Sequence, residues 1–219
     1  MSRPQIEAVI FDCDGTLVDS ETLSLAVLVE SVAELGLVIS LAEAMERFAG
    51  NELSVVFSDI EQRMGRTLPA DFLDTFRSRQ IGVLREHLQP VPGVHALLES
   101  LALPFCVASN APLHKVNVCL ETAGLMHHFQ PTAVFSAYQI NSWKPAPDLF
   151  LLAAESLQVA PERCAVVEDS VFGIRAGLAA GMQVFGFDPH LRLSGDFPDV
   201  TFVTALHELH SILNGTVVR

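Results

Sequence analysis

Positive charge is scarce in this chain of 219 residues. Thirteen lysines and arginines stand against 26 aspartates and glutamates, for a formal net charge of −13. A surface that acidic repels nucleic acid and anionic lipid at long range, which excludes a general polyanion binder. A small phosphorylated molecule stays open if the few cations are focused locally or a metal is recruited. Lysine is scarcer still, confined to Lys115 and Lys144, so the place of each is informative. Cysteine is limited to Cys13, Cys106, Cys119 and Cys164, with no CxxC pair and no zinc-spaced Cys/His cluster. Small buried thiols in a reducing compartment fit that pattern. No apolar run is long enough to span a membrane, and residues 1–7 lack an apolar signal stretch. A soluble, cytoplasmic protein is the expectation. With 50% hydrophobic and 18% charged residues, and without internal repeats or low-complexity tracts, the chain has the means for a sizeable core in one or two domains.

What is present is alternation. Residues 8–11 are a short apolar run rich in strand formers, stopped by Asp12-Cys13-Asp14-Gly15-Thr16. Residues 20–87 differ. Leu25, Leu28, Val32 and Leu35 recur at helical spacing before Gly36, and Ser40 with Glu43 forms a capping-box pattern. Gly50-Asn51 punctuates the stretch, then Val55, Val56, Ile60 and Met64 predict a third helix and Phe72, Phe76 and Leu84 a fourth. After Pro90-Val91-Pro92-Gly93 the rhythm changes. Strands are predicted at 105–108, weakly at 134–135, and at 164–167, 183–187 and 201–203. Helices are predicted at 94–101, 115–123, 147–157 and 173–180, with one more at the C-terminus. Strands alternating with helices imply a parallel sheet with right-handed crossovers, and short, fully apolar strands imply cover on both faces. Ligands of such sheets bind at the carboxyl ends of strands.

Three of those ends are polar. Asp12 and Asp14 are carboxylates two residues apart, with Gly15 permitting a sharp bend and Thr16 offering a hydroxyl. One carboxylate can attack an electrophile while the other shuttles a proton, although a lone pair of loop acids can equally be a solvated cap. Glu168-Asp169 adds acids at a second strand end, and such a convergence asks for a hard cation of the Mg²⁺ type. Ser109 and Asn110 follow a third strand, where a hydroxyl and backbone N–H groups can hold phosphoryl oxygens or simply form a turn. Lys144, before Pro145, can neutralise both a phosphoryl group and the aspartates, or be a surface lysine before a helix.

Taken in order, Asp12-Cys13-Asp14-Gly15-Thr16, Ser109, Lys144-Pro145 and Glu168-Asp169-Ser170 resemble the four motifs of the haloacid dehalogenase-like superfamily, in its phosphatase and phosphomutase branch. The resemblance spans nearly the whole chain. It implies an α/β fold, a Rossmann-like parallel sheet core of residues 1–17 and 89–219 with an inserted α-helical cap of residues 18–88 that selects substrate. It implies Asp12 as the nucleophile, forming an aspartyl-phosphate, and Asp14 as general acid and then base. Ser109, Asn110 and Lys144 bind the phosphoryl group. Mg²⁺ is held by Asp12, the backbone carbonyl of Asp14, and Asp169. Glu168 and Thr16 support this set from behind. The expected partner is a small phosphorylated metabolite, with no nucleic acid and no membrane, and the protein is expected to be a monomer.

Rival chemistries on the scaffold are weighed by residue. Dehalogenases of the family lack the second aspartate, which is Asp14 here. Phosphonatases need a cap lysine, and none occurs between Asp12 and His87. The β-phosphoglucomutase-like branch usually carries a histidine where this chain has Leu23-Ser24-Leu25, and an arginine where Asn51-Glu52-Leu53 follows Gly50. The pattern through Glu21, with Trp143-Lys144-Pro145 later, is most similar to a bacterial sugar-phosphate phosphatase group, the 6-phosphogluconate phosphatase subgroup in particular. A sugar phosphomutase and a non-enzymatic phosphometabolite-binding protein are the alternatives. Glu21, Ser24, Arg47 and Asn51 are the cap candidates for substrate contact.

Overall fold

In the computed structural model, residues 4–49 and 51–213 are described. Gly50, read above as punctuation between helices, lies outside them. The apolar run Ala8–Phe11 is β1, every residue of it buried. It is followed along the chain by β2 (Phe105–Ser109), β3 (Val134–Ser136), β4 (Cys164–Glu168), β5 (Gln183–Phe187) and β6 (Thr201–Val203). The six strands run parallel in the order β3-β2-β1-β4-β5-β6. Strands such as Cys164–Glu168, apolar up to its last residue and buried along its whole length, carry no alternation because helices cover both faces. One packed core lies against the sheet and joins Ile10, Ala108, Phe150, Val166, Ile174 and Val184.

The chain divides into two compact units. One runs to Val18 and resumes at Pro90; the other is Asp19–Gln89. The first holds the sheet with its helices: α5 (Val94–Ser100), α6 (Leu113–Thr122), α7 (Ala137–Ile140), α8 (Asp148–Leu157), α9 (Val171–Ala179) and α10 (His207–Leu213). The short α7 was not predicted. It is set by a capping box in which the Ser136 side chain and the Gln139 side chain satisfy each other's backbone N–H groups, and four residues are too few to show a helical period.

The second unit is wholly helical: α1 (Glu21–Ala33), α2 (Leu41–Phe48), α3 (Leu53–Met64) and α4 (Phe72–His87). Ser40 caps α2 by accepting from the Glu43 N–H at 3.1 Å, one half of the capping box that the sequence pattern predicts. Leu25, Leu28, Val32, Phe48, Ile60 and Phe76 build a core of its own, with Phe57 edge-on to both Phe72 and Phe76. Among the described residues no helix is long and apolar enough to cross a membrane.

Candidate active site

β1 pairs with β2 on one side and with β4 on the other. The chain leaves β1 toward β2 and leaves β4 toward β5, in opposite directions, so the carboxyl ends of β1 and β4 form the topological switch point at which such sheets bind ligands. Both ends are acidic. Asp12 continues β1 and donates its backbone N–H to Val167 O at 3.0 Å, which fastens the start of the loop to β4. The loop then turns back through Gly15, at φ 84°, whose N–H donates to Val18 O at 2.8 Å. A side chain at Gly15 would place its Cβ 1.8 Å from Asp169 Oδ2, so glycine is what lets the β1 loop lie against the β4 carboxylate. Thr16, fully buried, points its hydroxyl toward Asp169 Oδ1 at 3.4 Å.

Lys144 joins the two ends. Its ammonium donates to Asp12 Oδ1 at 2.5 Å and to Glu168 Oε1 at 2.6 Å, with its side chain 2% exposed. It also lies 4.7 Å from the centre of the Phe150 ring, a cation–π contact that helps hold a desolvated ammonium. The other Glu168 oxygen accepts from the Ser170 N–H and hydroxyl, both at 2.9 Å. Burial by itself would lower the Lys144 ammonium, but Asp12 and Glu168 outweigh it and hold it above the ordinary lysine range. One cation facing two buried carboxylates leaves negative charge in excess. Burial pushes the Asp12 carboxyl up to about 8 even against the pull of Lys144, so a further cation would be favoured here.

Ser109, at the end of β2, is 1% exposed and accepts from the Ala111 N–H at 3.0 Å. The Asn110 side chain is committed elsewhere. Its Oδ1 accepts from the Lys144 N–H at 2.9 Å and its Nδ2 donates to the Lys144 carbonyl at 3.3 Å. That amide clamps the backbone that carries the lysine, so any hold on a phosphoryl oxygen would come from the Asn110 backbone. Cys13, between the two aspartates, is held as the thiol: the neighbouring Cys119 thiol and burial push it well above the ordinary thiol range.

Lys115 was missed as a site residue. It lies in the first turn of α6 and donates to Asp14 Oδ1 at 2.8 Å. Burial would lower its ammonium, and Asp14 reverses that. The available signal was its rarity, as one of two lysines six positions after Ser109. Gly173 was missed too: a Cβ there would fall 1.8 Å from the Glu168 carboxylate.

The four cap candidates lie in the helical unit. Ser24 donates to Ser20 O at 2.7 Å and accepts from Gln80 Nε2 at 2.8 Å. Arg47 makes a two-point pair with Asp59, at 2.9 Å from Nε and 2.5 Å from Nη2. Asn51 donates to Arg47 O at 2.9 Å. Glu21 opens α1.

The donors at the two strand ends are all oxygens. Among the described residues no three His, Cys, Asp or Glu side chains form a metal-binding group by themselves. The close approach of Gly15 to the Asp169 side chain brings the β1 loop, which carries Asp12 and Asp14, against that carboxylate instead. A set of two carboxylates and a carbonyl, completed by water and phosphate, suits Mg²⁺ and would be poor for zinc.

A family model described as haloacid dehalogenase-like hydrolase matches residues 6–181. A curated relative, the 6-phosphogluconate phosphatase of Escherichia coli strain K12, is 38% identical over 212 residues, covering 95% of this chain and 94% of its own. A haloacid dehalogenase-like protein of Agrobacterium tumefaciens strain C58 superimposes with a TM-score of 0.84 at 33% identity, over 96% of this chain and 99% of that one. A family hydrolase from Deinococcus radiodurans R1, solved with bound phosphate and sodium, gives a TM-score of 0.80 at 31% identity, over 98% and 97%.

Proposed function

The chain belongs to the haloacid dehalogenase-like hydrolases and is a phosphoric monoester hydrolase; from that premise we propose that it hydrolyses a small sugar phosphate such as 6-phosphogluconate, through an aspartyl-phosphate on Asp12. The observation that carries this reading is the Lys144 ammonium seated between Asp12 and Glu168 at the switch point of the sheet. Phosphoryl transfer asks mainly for charge neutralisation and in-line placement, and a buried cation held on the nucleophile supplies both.

The steps follow from the residues. An Asp12 oxygen attacks phosphorus, the bond from phosphorus to the sugar oxygen breaks, and that oxygen takes the proton held by the Asp14 carboxyl. Asp14, now a carboxylate, then removes a proton from water as the water attacks phosphorus. The bond to Asp12 breaks and inorganic phosphate leaves. Ser109 and the backbone at Asn110 hold the equatorial oxygens. Asp12, the Asp14 backbone carbonyl and Asp169 would hold Mg²⁺, which when bound would supply positive charge to the transferring group. Glu168 keeps Lys144 aimed at Asp12.

The substrate proposal rests on similarity to the Escherichia coli enzyme. Selection is proposed to lie in the helical cap, with Glu21, Ser24, Arg47 and Asn51 as candidates. Arg47 would have to exchange Asp59 for an anionic sugar.

Phosphate release from a sugar-phosphate panel that includes 6-phosphogluconate and β-glucose 1-phosphate, with and without Mg²⁺, tests the reading. The expected result is metal-dependent release from one or a few compounds and no detectable turnover in Asp12→Asn. Asp12→Asn at near wild-type rate overturns the covalent mechanism. Conversion of glucose 1-phosphate to an isomer without release makes the protein a mutase. Folded, metal-binding protein with neither activity makes it a binding protein.

A further inference from the structure

Both lysines of the chain end on a carboxylate of the β1 loop. Lys144 takes Asp12, and Lys115 takes Asp14. Every other side-chain cation is an arginine or a histidine. The Lys115 contact joins residues 101 apart in sequence, and it is made possible by β1 and β2 lying side by side, with Phe11 opposite Val107. The β1 loop and the start of α6 therefore emerge at the same edge of the sheet.

The two aspartates are held in different ways. Asp12 is 7% exposed and is fastened through its backbone to β4 as well as through its side chain to Lys144. The Asp14 side chain is 28% exposed, and the backbone that follows it is the Gly15 turn. A half-open carboxylate on a short side chain has several rotamers available. The charge-assisted hydrogen bond from Lys115, whose stem is mostly buried and whose side chain is 13% exposed, favours one among them. Lys115 is itself fixed by lying on a regular helix, which Val116, Cys119 and Leu120 anchor in the core.

We propose that Lys115 is a positioning residue for Asp14, holding its carboxyl where it meets the leaving-group oxygen, in the manner that Lys144 holds Asp12. This rests on the reading of Asp14 as the proton donor. The consequence is specific. A poor leaving group needs the proton at the moment the P–O bond breaks, whereas a good one leaves as the anion and does not. Displacing a donor by about 1 Å can cost on the order of a hundredfold, and that loss should fall only on substrates that need the donor.

The test compares kcat/KM for an alkyl phosphate, glycerol 2-phosphate, with kcat/KM for 4-nitrophenyl phosphate. This ratio reads the path up to phosphoryl transfer to Asp12 and is blind to the later hydrolysis. In Lys115→Met the alkyl ester is expected to fall by roughly ten- to a hundredfold, and the nitrophenyl ester by less than about threefold. In an Asp14→Asn background Lys115→Met should add nothing further on either ester, because the residue it positions is gone. An equal fall on both esters overturns the proposal, since it assigns Lys115 to phosphoryl binding or to folding. No fall on either overturns it as well. Where the methionine variant does not fold, Lys115→Arg keeps the charge opposite Asp14 and carries the same test: a loss confined to the alkyl ester supports the proposal, and a shared loss or none ends it. Asp14→Asn on the same two esters separates the two levels. If it shows no leaving-group selectivity, the reading of Asp14 fails and takes the role of Lys115 with it. If it does and Lys115→Met does not, only the positioning role fails.

Discussion

Both units of the molecule pair cations with carboxylates at nearly the same distances, and the pairs mean different things. At the strand ends Lys144 reaches Asp12 at 2.5 Å and Glu168 at 2.6 Å, and Lys115 reaches Asp14 at 2.8 Å. In the helical unit Arg47 reaches Asp59 at 2.5 Å, Arg63 reaches Glu43 at 2.7 Å and Arg79 reaches Glu34 at 2.7 Å. Solvent separates the two sets. The lysine side chains are 2% and 13% exposed, the arginines 28% to 51%. Exposed pairs are screened and contribute little to stability. A buried ion pair costs desolvation that its own attraction barely offsets, so its presence needs a reason other than stability. The sheet repeats the contrast along its own strands. Arg163 and Glu7 pair in solvent beside the amino ends of β4 and β1, while the carboxyl ends of the same strands carry the buried lysine.

Lys144→Met should draw the contrast most sharply. It leaves Asp12 and Glu168 buried without their cation, and breaking a buried pair from one side typically costs about 3–5 kcal/mol. Denaturant melts should show a loss of that size together with loss of turnover. Arg79→Ala, which removes a cation at a similar distance from its carboxylate, should leave the melt unchanged. A Lys144→Met protein as stable as wild type would break the comparison.

Next in size are two glycines, one in a helix of each unit. Alanine at Gly173, in α9, brings a Cβ to 1.8 Å from the Glu168 carboxylate, which Lys144 and Ser170 already hold. Overpacking of that kind costs about 1–3 kcal/mol, and turnover should drop because Glu168 must leave Lys144. Alanine at Gly82, in α4, meets nothing within 4 Å. There the gain in helix propensity should stabilise by roughly 0.5–1 kcal/mol with activity unchanged. The measurements are a thermal melt and a rate for each variant, and opposite signs in the melts are the expected outcome.

The sequence made one side of this comparison easier to see than the other. Apolar runs that stop at acids are legible as buried strands ending in a site, so Asp12, Asp14, Glu168 and Asp169 could be named from pattern. Lys144 could be named because a cation among those acids has an obvious use. The pairing of Lys115 with Asp14 could not, because it depends on β1 lying next to β2, and strand order is written nowhere in the local pattern. Asn110 shows the same limit. Its place after a strand suggests a phosphoryl contact through backbone N–H groups, whereas the use of its amide on the backbone of a residue 34 positions away is not written in the pattern. In the helical unit, the helices were legible from their period, whereas Arg47 with Asp59 depends on how α2 packs against α3, which periodicity does not encode.

The smallest effects belong to that last pair, and they decide what Arg47 is for. Its guanidinium grips Asp59 at two points while remaining half in solvent. As a surface pair it should matter little to folding, so Arg47→Ala and Asp59→Ala are each expected to shift Tm by less than about 2 °C. Their effects on a sugar phosphate bearing a second anionic group should part. If Arg47 exchanges Asp59 for that group, removing the arginine raises KM. Removing the aspartate frees the arginine in advance and lowers KM. Neither change should alter KM for 4-nitrophenyl phosphate, which has no second anion. A KM that moves in neither variant leaves Arg47 with the other solvated pairs of the helical unit, and the search for selectivity then turns to Glu21 and Ser24 on α1.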